Sequence, residues 1–423
     1  MPTLPVRIWP ALLLLGFASG LPEPLVNATL ATWLKQSGWT AAELVDFGWV
    51  ALPYTIKVLW APLVDRLVPP LLGRRRGWLL IMQMVIIVGL VVMSGIDVNG
   101  NRAILVAAAL LVAFASATQD LVVNGYTCDA LPPDRLAAGA GLWVWGYRVA
   151  NQVVSAGVAL LIAAAWGWSA AYLVMAACLL PGVIGTLLAP PPIRDDPPLT
   201  WTATLVEPMA DFHRRLGLGG VALLLGVVMC YRLPDGMAGL LTAPFQAELY
   251  KLVDLGTSRI VVGLLGGAVG VAAAAWALPR LGMMRSLVLF GILQAVSNLG
   301  YVGLDQRWWT GIDGLIGVLF IDYACGAAGA VIFVGYLMSF CTASTSATQY
   351  ALLFAAYSIT PHLLRPVVSA LLPSLGYSGF FLATVVAVVP GLVLLAFAGR
   401  LSPPPLPPQQ PPPPPSPPSQ RAP

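Results

Sequence analysis

Apolar stretches of membrane-spanning length alternate with short polar segments along nearly the whole chain. A transmembrane helix needs roughly 20 mainly apolar residues. Twelve such stretches centre near residues 20, 54, 88, 115, 150, 180, 230, 268, 294, 325, 358 and 388. The pattern predicts an all-α membrane protein with twelve transmembrane helices.

A segment rich in proline and charge, residues 190–215, divides these stretches into two groups of six. The groups resemble each other: GWSAAYLVMAACLLPG at 167–182 aligns without a gap with GYSGFFLATVVAVVPG at 376–391. LPE at 21–23 and WAPLVDR at 60–66 are echoed by LPD at 233–235 and WALPRLG at 276–282. Offsets of about 209 to 216 residues predict parallel repeats related by an axis along the membrane normal.

We therefore predict four parts along the chain. They are an N-terminal six-helix bundle (1–190), a central cytoplasmic loop (191–216), a C-terminal six-helix bundle (217–400) and a disordered, proline-rich tail (401–423). Thirteen of the 23 residues of the tail are proline, so it cannot bury a core.

Composition and charge agree with a multi-pass membrane protein. Hydrophobic residues make up 58 % of the 423-residue chain and charged residues 9 %, and the mean hydropathy is +0.83. With a cytoplasmic N-terminus, thirteen arginines fall on the cytoplasmic side and five basic residues on the other, which favours both termini inside the cell. The net charge of +4 is small, and we expect no nucleic-acid partner.

Charged residues at membrane depth are candidates for function, because inserting each one into the membrane costs about 2.5 to 3.5 kcal/mol of free energy. Such residues usually face a cavity or a charged partner. Both halves contain them: Glu23, Lys57, Asp120, Arg148, Arg232, Asp235, Asp322 and Arg365. This distribution is expected of a central site between two bundles.

Two helices carry proline next to an acid in mid-span, Pro22-Glu23-Pro24 in the first and Pro234-Asp235 in the seventh. Proline removes a backbone hydrogen bond and frees carbonyl groups. Broken helices at matching positions of two repeats point to a transport site. The alternative is a purely structural kink.

The fourth helix carries Ser116, Asp120 and Asn124 at i, i+4 and i+8. This spacing places them on one face, with Gln119 about 100° away. Asp120 is a candidate proton carrier, because desolvation raises the pKa of a carboxyl group. The alternative is a permanent counter-ion for Arg148 or Lys57.

The basic residues Lys57, Arg148, Arg232 and Arg365 suit an anionic solute, since arginine offers a fork of donors to a carboxylate or phosphate. Salt bridges to the embedded acids are the competing interpretation. Trp145, beside Trp143, is a candidate for stacking on a sugar ring, although tryptophan is also common at membrane interfaces. There is no HExxH, P-loop, GxSxG or Cys/His metal spacing, so we expect neither an enzyme nor a cofactor or metal site.

Eight ordered segments resemble the AmpG family of muropeptide permeases, which belongs to the major facilitator superfamily and has the acetyl-CoA transporters as distant relatives. These segments are LLGFASGLP (14–22), LPYTIKVLWAPLVDR (52–66), GRRRGWLL (73–80), SATQDLVVNGY (116–126), GYRV (146–149), VEPMADF (206–212), FGILQAVSNLGY (290–301) and SATQYALL (346–353). The resemblance covers about residues 13–397. It implies the superfamily fold of two six-helix bundles and proton-driven import of anhydromuropeptides, GlcNAc-1,6-anhydroMurNAc peptides, across a bacterial inner membrane for peptidoglycan recycling.

The resemblance also implies roles for particular positions. The residues that keep the family pattern are Lys57, Asp65, Gln119, Asp120, Arg148, Asp235 and Gln349. The loop that carries Asp65, Arg66, Arg74, Arg75 and Arg76 corresponds to the superfamily's cytoplasmic gating loop. The charge at Asp322 is kept. The departures are Asn124 in place of a second aspartate, Glu23 in place of an apolar residue, Pro234 in place of glycine, and residues 261–267, which lack the family's Asn-Lys pair.

We expect a proton-coupled carrier in which Asp120, Asp235, Glu23 and Asp322 exchange protons. The expected solute-binding residues are Lys57, Arg148, Arg365, Gln119, Asn124, Trp145 and Gln349. The protein is expected to be a monomer whose partners are a small solute, protons and the lipid bilayer. The alternatives are a carrier of the same fold for another anion, acetyl-CoA-like or drug-like, and a non-transporting sensor or scaffold that uses the tail.

Overall fold

The computed structural model describes residues 5–132, 135–192, 201–341 and 346–399. The predicted proline-rich tail and residues 193–200 of the predicted central loop lie outside the described residues. The described remainder of that loop is helical from Trp201, in a helix that runs to Tyr231 and bends at Gly217.

The N-terminal half contains six helices. They are α1 (Ile8–Gln36), α2 (41–66), α3 (Arg74–Ser94), α4 (Arg102–Ala130), α5 (136–166) and α6 (168–188). α1 is interrupted at Leu21 and Asn27, and α2 contains two 3-10 turns, Gly48–Ala51 and Lys57–Leu59. α5 passes through a π-helical section, Val149–Val158.

The C-terminal half repeats this plan. Its helices are α7 (218–249), α8 (252–281), α9 (283–305), α10 (Gly311–Ser339), α11 (346–375) and α12 (377–398). Among the described residues, eight continuous stretches are long and apolar enough to cross a membrane. Glycine kinks divide three of these stretches into two helices each, and α2 completes the set of twelve.

The backbone carries the repeat that the sequence predicts. Gly73 and Gly282 both have positive φ, as do Gly167 and Gly376, and the members of each pair lie 209 residues apart. Glycine adopts this conformation without a steric cost, whereas other residues are strained there. α7 is interrupted at Arg232, just before Pro234, as α1 is interrupted at Leu21, just before Pro22. The two halves therefore bend and break at matching positions.

The halves meet at the end of the molecule that carries the α1–α2 connection (37–40), called here the closed end. Lys35 of α1 forms an ion pair with Glu248 of α7 over 2.8 Å. Arg365 of α11 donates to the carbonyl of Val45 in α2 over 2.6 Å. An apolar cluster contains residues of both halves, including Val45 and Phe245. Contacts continue towards mid-membrane, where the Thr55 hydroxyl donates to the Ser358 carbonyl over 3.3 Å.

Candidate solute and proton site

The break in α1 creates backbone carbonyls that α5 satisfies. Pro22 and Pro24 have no N–H, so the carbonyls four residues before them, those of Ala18 and Gly20, receive no helical hydrogen bond from these positions. Asn151 donates to the carbonyl of Gly20 over 3.2 Å, and the Ser155 hydroxyl donates to that of Leu21 over 2.6 Å. Both donors lie in the π-helical section of α5, a distortion that is frequent at functional sites. Asn151 and Ser155 therefore stabilise the break in α1.

Asp120 lies next to this break and is 8 % exposed. One carboxylate oxygen accepts a short hydrogen bond from the Ser19 hydroxyl of α1. The other lies 3.2 Å from the ammonium group of Lys57 in α2. Of the two counter-ions that the sequence offered for Asp120, the structure therefore pairs it with Lys57.

Glu23 and Arg148 lie in the same region and have different surroundings. Glu23 accepts hydrogen bonds from the amides of Asn151 over 2.9 Å and Asn27 over 3.2 Å. Arg148 is half-buried, and its guanidinium makes no hydrogen bond or ion pair with the residues that the structure describes. It extends towards α8, since a Cβ at Gly267 would lie 3.3 Å from its Nη1. The N-terminal half thus presents an arginine with open donors to the other half.

In the C-terminal half, Asp235 forms an ion pair with Arg232 of its own helix turn. Arg232 also donates to the Tyr357 hydroxyl over 2.6 Å, and its Cζ lies 4.5 Å from the centre of that ring. These three side chains and Gln294 line a cavity of about 60 Å³. A cavity of this size with polar walls has room for water.

Asp322 is held only by neutral donors among the described residues. It accepts from the Tyr301 hydroxyl over 2.7 Å, the Gln294 amide over 3.0 Å and the Ser297 hydroxyl over 3.4 Å. The Gln294 side chain thus bonds Asp322 and also lines the cavity beside Asp235. Its carbonyl oxygen is buried and has no hydrogen-bond partner among the described residues. Tyr323 of α10 follows Asp322 in the chain and lies within electrostatic range of Glu23 in the other half.

The other predicted solute-binding residues lie in various places. Gln119 is fully buried, and neither of its side-chain polar atoms has a partner in the described part of the chain. Asn124 is exposed, and the Trp145 side chain is 62 % exposed. Gln349 of α11 donates over 2.7 Å to Asp211, which lies in the helical part of the central loop before α7. Arg365, which is 5 % exposed, lies in the closed-end contact rather than beside Asp120.

The arginines of the predicted gating loop bind to the N-terminal half. Arg75 lies 2.8 Å and Arg74 3.6 Å from the carboxylate of Asp129 near the end of α4. Arg76 donates to the carbonyls of Thr186 and Leu187 at the end of α6, over 3.3 and 3.4 Å. Arg66 is exposed, and the side chain of Asp65 lies outside the described residues. Arg74, Arg75 and Arg76 form the start of α3 in the structure, and they connect it to α4 and α6.

Several residues of the site were missed from the sequence. The three donors to Asp322 all lie in FGILQAVSNLGY, whose individual residues received no role. Their spacing, 294, 297 and 301, places them on one face of an apolar helix, and this was the signal available. Ser19 and Asp129 were also given no role.

The family comparisons agree with this architecture. A model of the Major Facilitator Superfamily matches residues 8–360. The Anhydromuropeptide permease of Escherichia coli is 38 % identical over 391 residues, which cover 91 % of this chain and 78 % of that protein. A transporter named AmpG 4 from Rickettsia conorii is 29 % identical over 396 residues, which cover 91 % of this chain and 94 % of that protein.

Solved structures share the fold at low sequence identity. A D-xylose-proton symporter matches with a TM-score of 0.68 at 15 % identity, over 94 % of this chain and 98 % of the other. The peptide transporter POT matches with a TM-score of 0.67 at 15 % identity, over 93 % and 94 %. The predicted fold class is confirmed, and so is the expectation of a membrane transporter rather than an enzyme, since the relatives are permeases. The chain belongs to the Major Facilitator Superfamily and, within it, to the AmpG family of anhydromuropeptide permeases.

Proposed function

We propose that this transporter imports anhydromuropeptides, and that it does so as a monomer in the bacterial inner membrane with both termini in the cytoplasm. The substrate rests on the similarity to the Escherichia coli permease, which extends over 91 % of the chain. The orientation rests on the excess of arginine at the end opposite the closed end. With that orientation, the closed end is periplasmic.

The observation that carries the solute site is the guanidinium of Arg148, which makes no hydrogen bond or ion pair with the described residues and extends towards Gly267 in the other half. A muropeptide carries carboxylates, and a guanidinium with free donors binds a carboxylate through two parallel hydrogen bonds. Arg148 extends to Gly267 in the other half, so a solute bound there contacts both bundles. Lys57 adds a second cation that the solute can share with Asp120.

Proton coupling is assigned to the acids that have no cationic partner in the described part of the chain. Protonation of Asp120 or Asp235 would leave Lys57 or Arg232 unpaired, which is costly in a poorly solvated site. Among the described residues, Glu23 and Asp322 accept only from amides and hydroxyls. Either can take up a proton without leaving a charge behind. We assign proton exchange first to Asp322 and Glu23. Asp120 and Asp235 are assigned as counter-ions of Lys57 and Arg232, and binding of the solute or of a proton breaks these ion pairs.

Transport follows from rocking of the two halves around this site, as in other carriers built from repeats. The hydrogen bond from Arg365 to Val45 and the Lys35–Glu248 pair hold the closed end. Opening this end requires both contacts to break.

Uptake of labelled anhydromuropeptide into right-side-out vesicles tests the function. We expect accumulation that depends on an inward proton gradient. Uptake that is absent, or that is unchanged when a protonophore removes the gradient, contradicts the proposal. A panel of other anions, including acetyl-CoA, separates the muropeptide from the alternative solutes by competition.

Variants separate the solute role from the proton role. Arg148→Ala is expected to weaken solute binding by about 2 kcal/mol, or some thirtyfold, the scale of a lost charged hydrogen bond, and Arg148→Lys to restore part of it. Arg280→Ala, at an exposed arginine, is the matched control. Asp322→Asn is expected to abolish accumulation against a gradient while exchange of solute across equal concentrations continues. Loss of both processes would show that Asp322 has a structural role in the C-terminal half instead.

A further inference from the structure

A groove of about 440 Å³ lies at the closed end, on the side of the N-terminal half where the start of α2 faces the start of α4. It is distinct from the solute site and contains none of the residues assigned to solute or proton. Its upper part is polar and aromatic, with Trp39, Glu43, Asp46 and Arg102. Its lower part is apolar and includes Val106 and Leu110 of α4.

The apolar part continues onto the lipid-facing surface of α4. Leu110 is 39 % exposed, and the adjoining Leu111 and Phe114 are 49 % and 43 % exposed. Exposed apolar side chains on a membrane-spanning helix face the hydrocarbon of the bilayer. Arg102, Val106 and Leu110 follow one another at i, i+4 and i+8, so one face of α4 runs from a charge into this apolar surface. The groove therefore passes from polar to apolar along α4, as a lipid passes from its polar headgroup to its apolar acyl chains.

The charges of the upper part have both signs. Arg102 lies 2.9 Å from Glu43 and its Cζ is 4.2 Å from the centre of the Trp39 ring. Glu43 is itself fixed, because it forms a capping box with Thr40 at the start of α2. Asp46 is exposed and makes no hydrogen bond or ion pair with the described residues, although the buried Arg365 lies within its electrostatic range. A ligand thus meets a cation that already has a partner and a carboxylate that offers open acceptors.

We propose that this groove binds one phospholipid of the adjoining leaflet, and that it prefers a headgroup with both a phosphate and a primary ammonium, as in phosphatidylethanolamine. The phosphate contacts Arg102, the ammonium contacts Asp46, and an acyl chain lies along Val106 and Leu110. A purely anionic lipid satisfies Arg102 but offers no cation to Asp46. A soluble sugar, for which the tryptophans also offer stacking surfaces, leaves the apolar lower part uncovered.

A lipid in this groove lies beside the contact between the halves. The Trp49 ring, which also lines the groove, is 5.8 Å from that of His362 in α11. His362 accepts a 3.4 Å hydrogen bond from Arg365. The site therefore borders both halves at the end that must open during transport.

Photo-crosslinking in vesicles tests the proposal. The full-length protein is reconstituted in phosphatidylglycerol vesicles that contain a trace of phosphatidylethanolamine with a photoreactive acyl chain, and crosslinked peptides are mapped. We expect crosslinks concentrated in 39–50 and 102–110. Unlabelled phosphatidylethanolamine should displace the probe at a lower mole fraction than added phosphatidylglycerol does. An even distribution over all lipid-facing helices overturns the proposal.

Two neighbouring positions on α4 give a matched pair of variants. Leu110→Trp fills the groove and should reduce crosslinking in these peptides by about tenfold, the factor that corresponds to 1.4 kcal/mol. Leu111→Trp, on the same lipid-facing surface but outside the groove, should leave it unchanged. Val106→Phe fills the groove from a second position if Leu110→Trp does not fold. Equal effects of the substitutions at 110 and 111 contradict a defined site.

The headgroup preference has its own test. Asp46→Asn should remove the advantage of phosphatidylethanolamine over phosphatidylglycerol while leaving the crosslinks in place. Equal competition by the two lipids against the wild-type protein overturns the preference. Competition by soluble N-acetylglucosamine, with none by either lipid, would assign the groove to a sugar instead.

Discussion

The Lys57–Asp120 pair makes the sharpest prediction, because the sequence left Arg148 and Lys57 as alternative partners of Asp120 and the structure pairs it with Lys57, 63 positions away. Lys57→Met leaves the Asp120 carboxylate with the Ser19 hydroxyl as its remaining donor. Asp120→Asn leaves Lys57 without a counter-ion. Each single change should destabilise the protein, whereas the double change removes both charges together.

The magnitude follows from burial. Breaking a fully buried ion pair costs about 3 to 5 kcal/mol, and an exposed pair contributes about 0 to 1 kcal/mol. The two side chains here are 24 % and 11 % exposed. We therefore expect about 2 kcal/mol for each single variant, between these limits. The double variant should lose less than the sum, with a coupling free energy of about 1 to 2 kcal/mol.

The assay is a double-mutant cycle on unfolding in detergent, with uptake measured on the same four proteins. Lys251→Met, at an exposed lysine, is the control for loss of a lysine. The double variant should regain stability without regaining uptake, because Lys57 is also assigned to the solute. Additive single effects would show that the pair does not contribute to stability, and full uptake by Lys57→Met would remove Lys57 from the solute site.

Two glycines give further predictions with Gly239→Ala as a common control, since a Cβ at Gly239 meets no atom within 4 Å. A Cβ at Gly48 would lie 1.7 Å from Nη1 of Arg365, so Gly48→Ala should expel the guanidinium and cost the closed end a charged hydrogen bond of about 1.5 to 3 kcal/mol. Spin-label distances across that end should lengthen, and unchanged distances would count against Arg365 as a closing contact. A Cβ at Gly20 would lie 2.2 Å from the carbonyl oxygen of Tyr147, so Gly20→Ala should lower the free energy of unfolding by about 1 to 3 kcal/mol through overpacking, measured by thermal unfolding.

Backbone features were predictable from the sequence because their causes are local. Pro22 and Pro234 lack a backbone donor wherever they occur, and each helix is interrupted next to them. The glycine at the α5–α6 turn and its repeat counterpart, Gly167 and Gly376, begin the aligned segments of the two halves. Because the two halves of the sequence repeat each other, a break or turn predicted in one half was also expected in the other.

The partners of charged side chains were less predictable. The free-energy cost of burying a charge shows that the charge needs a partner, but it does not show which residue that partner is. Arg148 and Arg365 looked equivalent in the sequence, as single arginines at membrane depth. The structure separates them: Arg365 donates to a carbonyl of α2, whereas Arg148 extends over Gly267 without a polar partner among the described residues. The difference depends on which face of each helix meets the other half, and helix periodicity alone does not determine that.

The two halves keep the same backbone plan but hold their acids in different ways, and this difference bears on the direction of coupling. In the N-terminal half the cation for Asp120 comes from another helix, α2, so movement between α2 and α4 changes the pair. In the C-terminal half Asp235 has its cation three residues away in the same helix, so rigid movement of helices leaves that pair intact. The acid there that depends on a neighbouring helix is Asp322, whose donors all lie in α9. A shift of α9 against α10 would remove donors that stabilise the ionised form and favour proton uptake, just as a shift of α2 would release Lys57 to the solute. Two repeats of one backbone can in this way respond to one rocking motion with different chemistry, anion binding in the first half and proton binding in the second.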